Sequence, residues 1–259
     1  MLLNAVIIIL REVLEASLII SVFLALSQLL ERNLWWVLFA MLMGIVGGFV
    51  YASTISQISA ALEGVGQEVV NACLHTLIYL SLLLFVVAVL HPQNPRWHRI
   101  TLISIIVAVI IAIAREGSEI ILYISGFIGM PELLQPVLLG GAVGAGIGVS
   151  VGVFFYYLLV NMHPRYGLWL GYFILLLVAG SMMSQAVEFL IQADFITVTA
   201  PAWDSSGWIS EHSAAGQLLY ALIGYEATPA PVQVVVYFSS IGLLLLLSAI
   251  SFYRHRRSN

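Results

Sequence analysis

Seven stretches of the chain stay apolar for about 20 residues or more, the length a helix needs to cross roughly 30 Å of bilayer hydrocarbon. They cover approximately residues 3–30, 34–57, 70–90, 100–126, 136–160, 166–190 and 232–253. With no water at that depth, each run must satisfy its backbone N–H and C=O groups internally, as a helix does. The eight prolines, at 92, 95, 131, 136, 164, 201, 229 and 231, fall between the runs or at their edges, where a missing N–H does least harm. Composition agrees: 61% of residues are hydrophobic, 8% are charged and mean hydropathy is +1.05, whereas a soluble domain is about 25% charged. The expected fold class is an all-α integral membrane protein with seven transmembrane helices. The first run is long, is interrupted by charges and has no basic region ahead of it, so it reads as a retained span rather than a signal peptide.

Those charges are Arg11, Glu12 and Glu15, and the pattern returns in the fourth run as Arg115, Glu116 and Glu119. Helical positions three and four apart share a face, so each motif presents two carboxylates and one arginine together. Six unpaired charges at mid-bilayer would cost roughly 15–20 kcal/mol on insertion scales, which makes intramembrane ionisable residues functional by default. An internal Arg–Glu pair explains only part of each motif, because one Glu is left over both times. The surplus of two negative charges, on hard carboxylate oxygens, suits a hard cation. Each Arg is expected to hold its i+4 Glu ionised.

Other chemistries lack their residues. The nine basic residues are all Arg, and one Cys, Cys73, excludes an intramolecular disulfide and a Cys-based zinc site. A net charge of -4 is no nucleic-acid signature. Walker-type glycine loops, HExxH and GxSxG are absent from the sequence, so neither an ATPase nor these hydrolases are expected.

Outside the motifs, Arg32, Arg96, Arg99, Arg165, Arg254, Arg256 and Arg257 fall in alternate connections and the tail. By the positive-inside rule these face the cytoplasm, giving an N-terminus outside and a C-terminus inside. The opposite connections carry Glu63, Glu68, Glu132, Asp194, Asp204, Glu211 and Glu226 and no Arg. That outer face would concentrate cations, although ordinary solvation accounts for any one acid equally well.

The motifs are 104 residues apart, and the same offset carries Ala40, Gly44 and Gly48 onto Gly144, Gly148 and Gly152. Small residues every four positions make a flat stripe where another helix can approach. Spans one to three and four to six therefore read as two copies of one unit, inserted in opposite directions because each has an odd number of spans. Such inverted repeats place a transport site near the midplane between the halves. The expected organisation is a single transmembrane domain over residues 1–259. Repeat one covers about 1–95, repeat two about 96–190, an outer loop about 191–231 and a seventh helix about 232–253. Spans one and four would cross at the motifs, supported from behind by spans two and five.

Fewer expectations attach to other residues. Glu188 at the outer end of span six, and Asp204 beyond it, are candidates to lead a cation to the site. His75 reads as a capping or packing residue, and the tail around His255 as a cytoplasmic anchor. Trp35, Trp36, Trp97 and Trp169 read as interface anchors. In the outer loop a short helix near 208–223 is expected, capped by Asp204 or Ser205.

Two Arg-Glu-x-x-Glu motifs in spans one and four of a seven-span protein resemble the high-affinity iron permeases of fungi and bacteria, including EfeU-type members. The resemblance extends to Met183-Ser184-Gln185-Ala186, Gln192-Ala193-Asp194, Trp203-Asp204-Ser205-Ser206 and Gly224-Tyr225-Glu226-Ala227-Thr228-Pro229. It implies that Glu12, Glu15, Glu116 and Glu119 bind iron during translocation, with Arg11 and Arg115 in support. It implies a non-enzymatic permease of the cytoplasmic (inner) membrane, iron as the transported substrate with no resident cofactor, and a periplasmic or extracellular ferroxidase or iron-binding partner. Hard oxygen ligands favour Fe3+ as cargo. The alternatives are a carrier of divalent Fe2+, Mn2+ or Pb2+, a membrane redox enzyme, or a subunit that only docks a ferroxidase. Val13 stands where the family usually has Gly and Ser118 where Leu is common, so equal roles for the two motifs do not follow.

Overall fold

The computed structural model of the chain describes residues 1–90, 95–198, 200–211 and 213–258. Eight α-helices and no strand occur among them: α1 (Leu2–Leu29), α2 (Trp36–Ala60), α3 (Gly66–Val89), α4 (Pro95–Ser125), α5 (Pro131–Asn161), α6 (Pro164–Gln192), α7 (Ala214–Ile223) and α8 (Pro231–Ser258). Six of them, α2 to α6 and α8, are long and apolar enough to cross a membrane; α1 is of similar length but carries the first charged motif. Prolines open α4, α5, α6 and α8, where the first helical N–H has no intrahelical partner to lose. Pro136 departs from the expected pattern and sits inside α5. Pro92 lies outside the described residues, as do the side chains of Arg254, His255, Arg256 and Arg257.

The core gathers where α1, α3, α4 and α6 meet, around Phe23, Leu82, Ile105 and Leu175. The ring of Phe23 meets Phe85 edge-on at 5.0 Å. The apolar stretch of α6 is 67% buried, against 17% for α2 and α8, so α6 is central and the other two are peripheral. Trp35 and Trp169 are exposed, as membrane-surface anchors would be, but Trp36 is buried in the core rather than anchoring an interface.

Glycines set the closest approaches. A Cβ at Gly140 would lie 2.5 Å from the Leu2 carbonyl, one at Gly148 2.9 Å from Val13 Cγ1, and one at Gly152 2.8 Å from Ser17 Cβ; Gly144 abuts the Val6 carbonyl. The register rises together on both helices, so α1 and α5 run parallel with backbones nearly touching. Likewise Gly44 meets Ile113 and Ile110, and Gly48 meets Ala114 and Ser118, so α2 runs parallel to α4. Each motif helix thus leans on the small-residue helix of the other half.

This packing corrects the sequence register. Subtracting the motif offset of 104 turns Ile110 and Ile113 into Val6 and Ile9, and it is Gly144 that meets Val6. Gly44 therefore corresponds to Gly144, and Gly48 to Gly148, one helical turn from the expected match. The segment between motif and stripe is a turn shorter in the second half.

The segment 200–230 folds back on itself. Its helix begins at Ala214 rather than near 208, and Ser213 is the cap, accepting the Gly216 N–H at 3.0 Å. Asp204 instead accepts the Ser206 N–H and hydroxyl at 2.9 and 2.6 Å, closing a turn ahead of the helix. Ser205 bonds Tyr225 and the Ala227 carbonyl. The helix stops at Gly224, whose φ of +68° is costly for any residue with a Cβ.

Candidate metal site between the two charged motifs

Both motifs lie one helical face deep in the bundle. Glu12 is ten residues from the start of α1, and Glu116 nine from the end of α4. At 1.5 Å per residue, both lie about 15 Å inside the same end of the bundle. Glu12, Glu15, Arg115 and Glu116 are all at most 4% exposed.

One carboxylate oxygen from each of Glu12, Glu116 and Glu119 falls within 4.8 Å of the other two. Glu15 is outside this group, with Oε2 3.5 Å from Nη1 of Arg115. The expected convergence of four carboxylates is thus a cluster of three plus a fourth held to one side.

The arginines divide unequally. Arg115 reaches Glu116 at 2.6 Å and Glu119, its i+4 partner, at 2.8 Å, besides Glu15. Arg11 does not bond its own i+4 Glu15; its Nε and Nη2 both donate to Oε1 of the adjacent Glu12, at 3.1 and 2.8 Å. The cause is position: Glu15 faces α4, where the buried Arg115 meets it, while Arg11 turns outward and is 32% exposed. Each guanidinium also lies against a ring, Arg11 5.3 Å from the Tyr220 centroid and Arg115 5.7 Å from that of Phe189.

Two positive and four negative side chains leave the site short of positive charge. Oε2 of Glu12, of Glu15 and of Glu116 are buried without a hydrogen-bond partner among the described residues. Like charges at this spacing cannot all stay ionised in a dry interior without a cation among them. The donor set, all carboxylate oxygen, fits a hard or borderline metal ion.

A set of bonded polar residues links α2, α3 and α6, with Tyr51 the member that the sequence reading missed. Tyr51 of α2 donates to Asn71 of α3 at 2.8 Å. Fully buried His75 has Nδ1 2.8 Å from the Asn71 carbonyl and Nε2 2.8 Å from Oε1 of Gln185, whose amide donates to Ser181. His75 thus has both nitrogens engaged and supports α6, matching its packing role. A polar residue inside an apolar run was the available signal for Tyr51. Half-buried Glu188 accepts from Gln192 at 3.1 Å and from Tyr220 of α7 at 3.3 Å. Asp204 lies at the surface, bonded to Ser206.

The sequence model of the iron permease FTR1 family matches residues 2–255. The chain belongs to the iron permease FTR1 family. Among its relatives, the ferrous iron permease EfeU of Yersinia pestis is 28% identical over 160 residues, which is 60% of this chain and 54% of that protein. The EfeU of Shigella flexneri serotype 5b is 28% identical over 140 residues, 52% of this chain and 57% of that protein. The matches span about half the length of these relatives. No solved structure matches. Six helices of membrane length accord with membership of a permease family.

Proposed function

We propose that this protein is a permease, not an enzyme, that moves iron inward across the cytoplasmic membrane through the carboxylate cluster of its two motifs. The observation that carries this is the meeting of Glu12, Glu116 and Glu119 from α1 and α4, with three buried carboxylate oxygens around them that lack a hydrogen bond among the described residues. In this reading α1 also spans, giving seven crossings with the N-terminus outside, and α1–α3 and α4–α6 are inverted repeats. The parallel pairs α1–α5 and α2–α4 support it, since strict alternation of seven spans makes both pairs parallel.

The cargo in this proposal is ferrous rather than the ferric ion expected from oxygen ligands alone. A divalent ion cancels the site's surplus of two negative charges, and the EfeU relatives carry the name of ferrous permeases. A divalent cargo also needs no ferroxidase at the entrance, so the proposed outer partner is an iron-binding protein. The ion would pass from acids such as Asp204 and Glu188 to the cluster, then to Glu15, about 4.5 Å further along α1. A potential negative inside supplies about 2.3 kcal/mol per charge per 100 mV, roughly 5 kcal/mol for a divalent ion.

The test is radioactive iron uptake into proteoliposomes holding only this protein, with ferrous or ferric iron outside and a potential negative inside. Uptake of ferrous iron that disappears in Glu12→Ala and Glu116→Ala is expected. Uptake confined to ferric iron would restore the trivalent reading, and uptake unchanged in both variants would refute the site.

A further inference from the structure

The short helix α7 touches the candidate site through one side chain. Tyr220 carries the Arg11 guanidinium on its ring face and donates its hydroxyl to Glu188. It thus joins α1, α6 and α7 at the end of the bundle where both motifs lie nearest the surface, and α7 packs on α1 and α6 there.

The other fastenings of α7 are neutral: at its N-terminal half Gln217 donates to the Glu211 carbonyl at 2.8 Å and Gly216 packs against Ser210, and the rest lie at its C-terminal end. Tyr237 of α8 donates to the Ile223 carbonyl at 3.0 Å, and Gly224 sits so close to Ser181 that a Cβ would lie 2.7 Å from its hydroxyl. Beyond them, Glu211 accepts the Ala227 and Thr228 N–H groups and braces the following loop. Among the described residues, the contacts of α7 with charged side chains that an arriving cation would itself engage run through Tyr220.

We propose that Tyr220 is a positioning residue that latches α7 over the outer approach to the carboxylate cluster by holding Arg11 beside Glu12. A cation arriving at the open Oε2 of Glu12 competes with Arg11, which holds Oε1, for the charge of the same carboxylate. The displaced guanidinium then has the Tyr220 face and Glu188 as its remaining partners, so occupancy of the cluster and closure of α7 are linked. The ring supplies the hold on Arg11, and the hydroxyl sets the ring through Glu188. The latch rests on the proposed orientation, with the start of α1 outside, and the nature of the passing ion rests on the iron-transport reading.

The test measures access rather than transport. In full-length protein in proteoliposomes, with Cys73→Ser removing the native thiol, Glu116→Cys places a thiol at a position only 4% exposed. A membrane-impermeant cationic methanethiosulfonate is then added outside. With Tyr220→Ala labelling should become at least about fivefold faster, the scale set by losing a partly exposed cation–π contact, whereas Tyr220→Phe keeps the ring and should stay within about twofold of the Tyr220 protein. A Ser27→Cys reporter, buried in the core, should remain unlabelled in all three. An unchanged rate in Tyr220→Ala, a Phe variant as fast as the Ala variant, or labelling at position 27 would each overturn the latch. Labelling requires no iron, so failure of uptake with this pattern intact would sink the transport reading alone.

Discussion

Arg115 of the second motif lies 3.5 Å from Glu15 of the first, and the same guanidinium holds Glu116 and Glu119. One buried arginine therefore balances carboxylates from both halves, while Arg11 serves only Glu12 and stays partly in contact with solvent.

Removing Arg115 should leave three acidic side chains without a buried counter-charge. Arg115→Ala is expected to lose about 3–5 kcal/mol of stability, the usual cost of breaking a buried pair. Arg11→Ala, at a third-exposed side chain, should lose about 1 kcal/mol or less. Adding Glu15→Gln to Arg115→Ala should recover part of the loss, because one uncompensated charge goes with it. Unfolding in mixed micelles measures all three, and equal losses for the two arginines would contradict the unequal division.

An ion that binds only the folded site stabilises it by mass action. Ferrous iron at about 100 times its dissociation constant should add about 2.7 kcal/mol, seen as a rise in unfolding temperature that a chelator reverses. Glu12→Gln and Glu116→Gln should abolish the rise. A full rise in either variant would place the ion elsewhere.

Two glycines of α5 separate packing from backbone effects. Gly144 abuts the Val6 carbonyl, whereas a Cβ at Gly146 would meet nothing within 4 Å. Gly144→Ala should cost about 1–3 kcal/mol by forcing α1 and α5 apart. Gly146→Ala should be neutral or stabilising by up to about 1 kcal/mol, since Ala is the better helix former. Thermal unfolding of the pair decides whether the stripe facing α1 is the close-packed one.

The segment between α7 and α8 should respond to pH through Glu226. Burial, with Glu188 nearby, pushes its carboxyl up from 4.5 to about 7, although Gln233 donates to both oxygens at 2.8 Å. A raised folded value means that the stability contribution is full below about pH 4.5 and is lost as pH rises through about 7. The difference in unfolding temperature between the native chain and Glu226→Gln should therefore change across that window and level off above it. A difference independent of pH would show that Glu226 is not the titrating group.

The long helices and the identity of the charged residues were legible in the sequence, whereas the start and cap of α7 were not. Long apolar runs can only be helices in hydrocarbon, and charges within them stand out because they are costly there. The repeated Arg-Glu-x-x-Glu spacing placed each set on one face, and the four-residue stripes marked where helices would approach. These are local properties, carried by residues within a few turns of one another.

Partnership was decided only in three dimensions. The i+4 rule matched Arg115 with Glu119 but failed for Arg11, because α4 brought Arg115 to Glu15 and left Arg11 facing α7. The offset of 104 aligned the motifs and misplaced the glycine stripes by one turn, since helix register depends on which backbones can touch. Tyr51, Asn71 and Tyr220 acquired their roles the same way, through contacts between separate helices. Spacing fixes which face a side chain occupies, while the approach of a second helix fixes what that face meets.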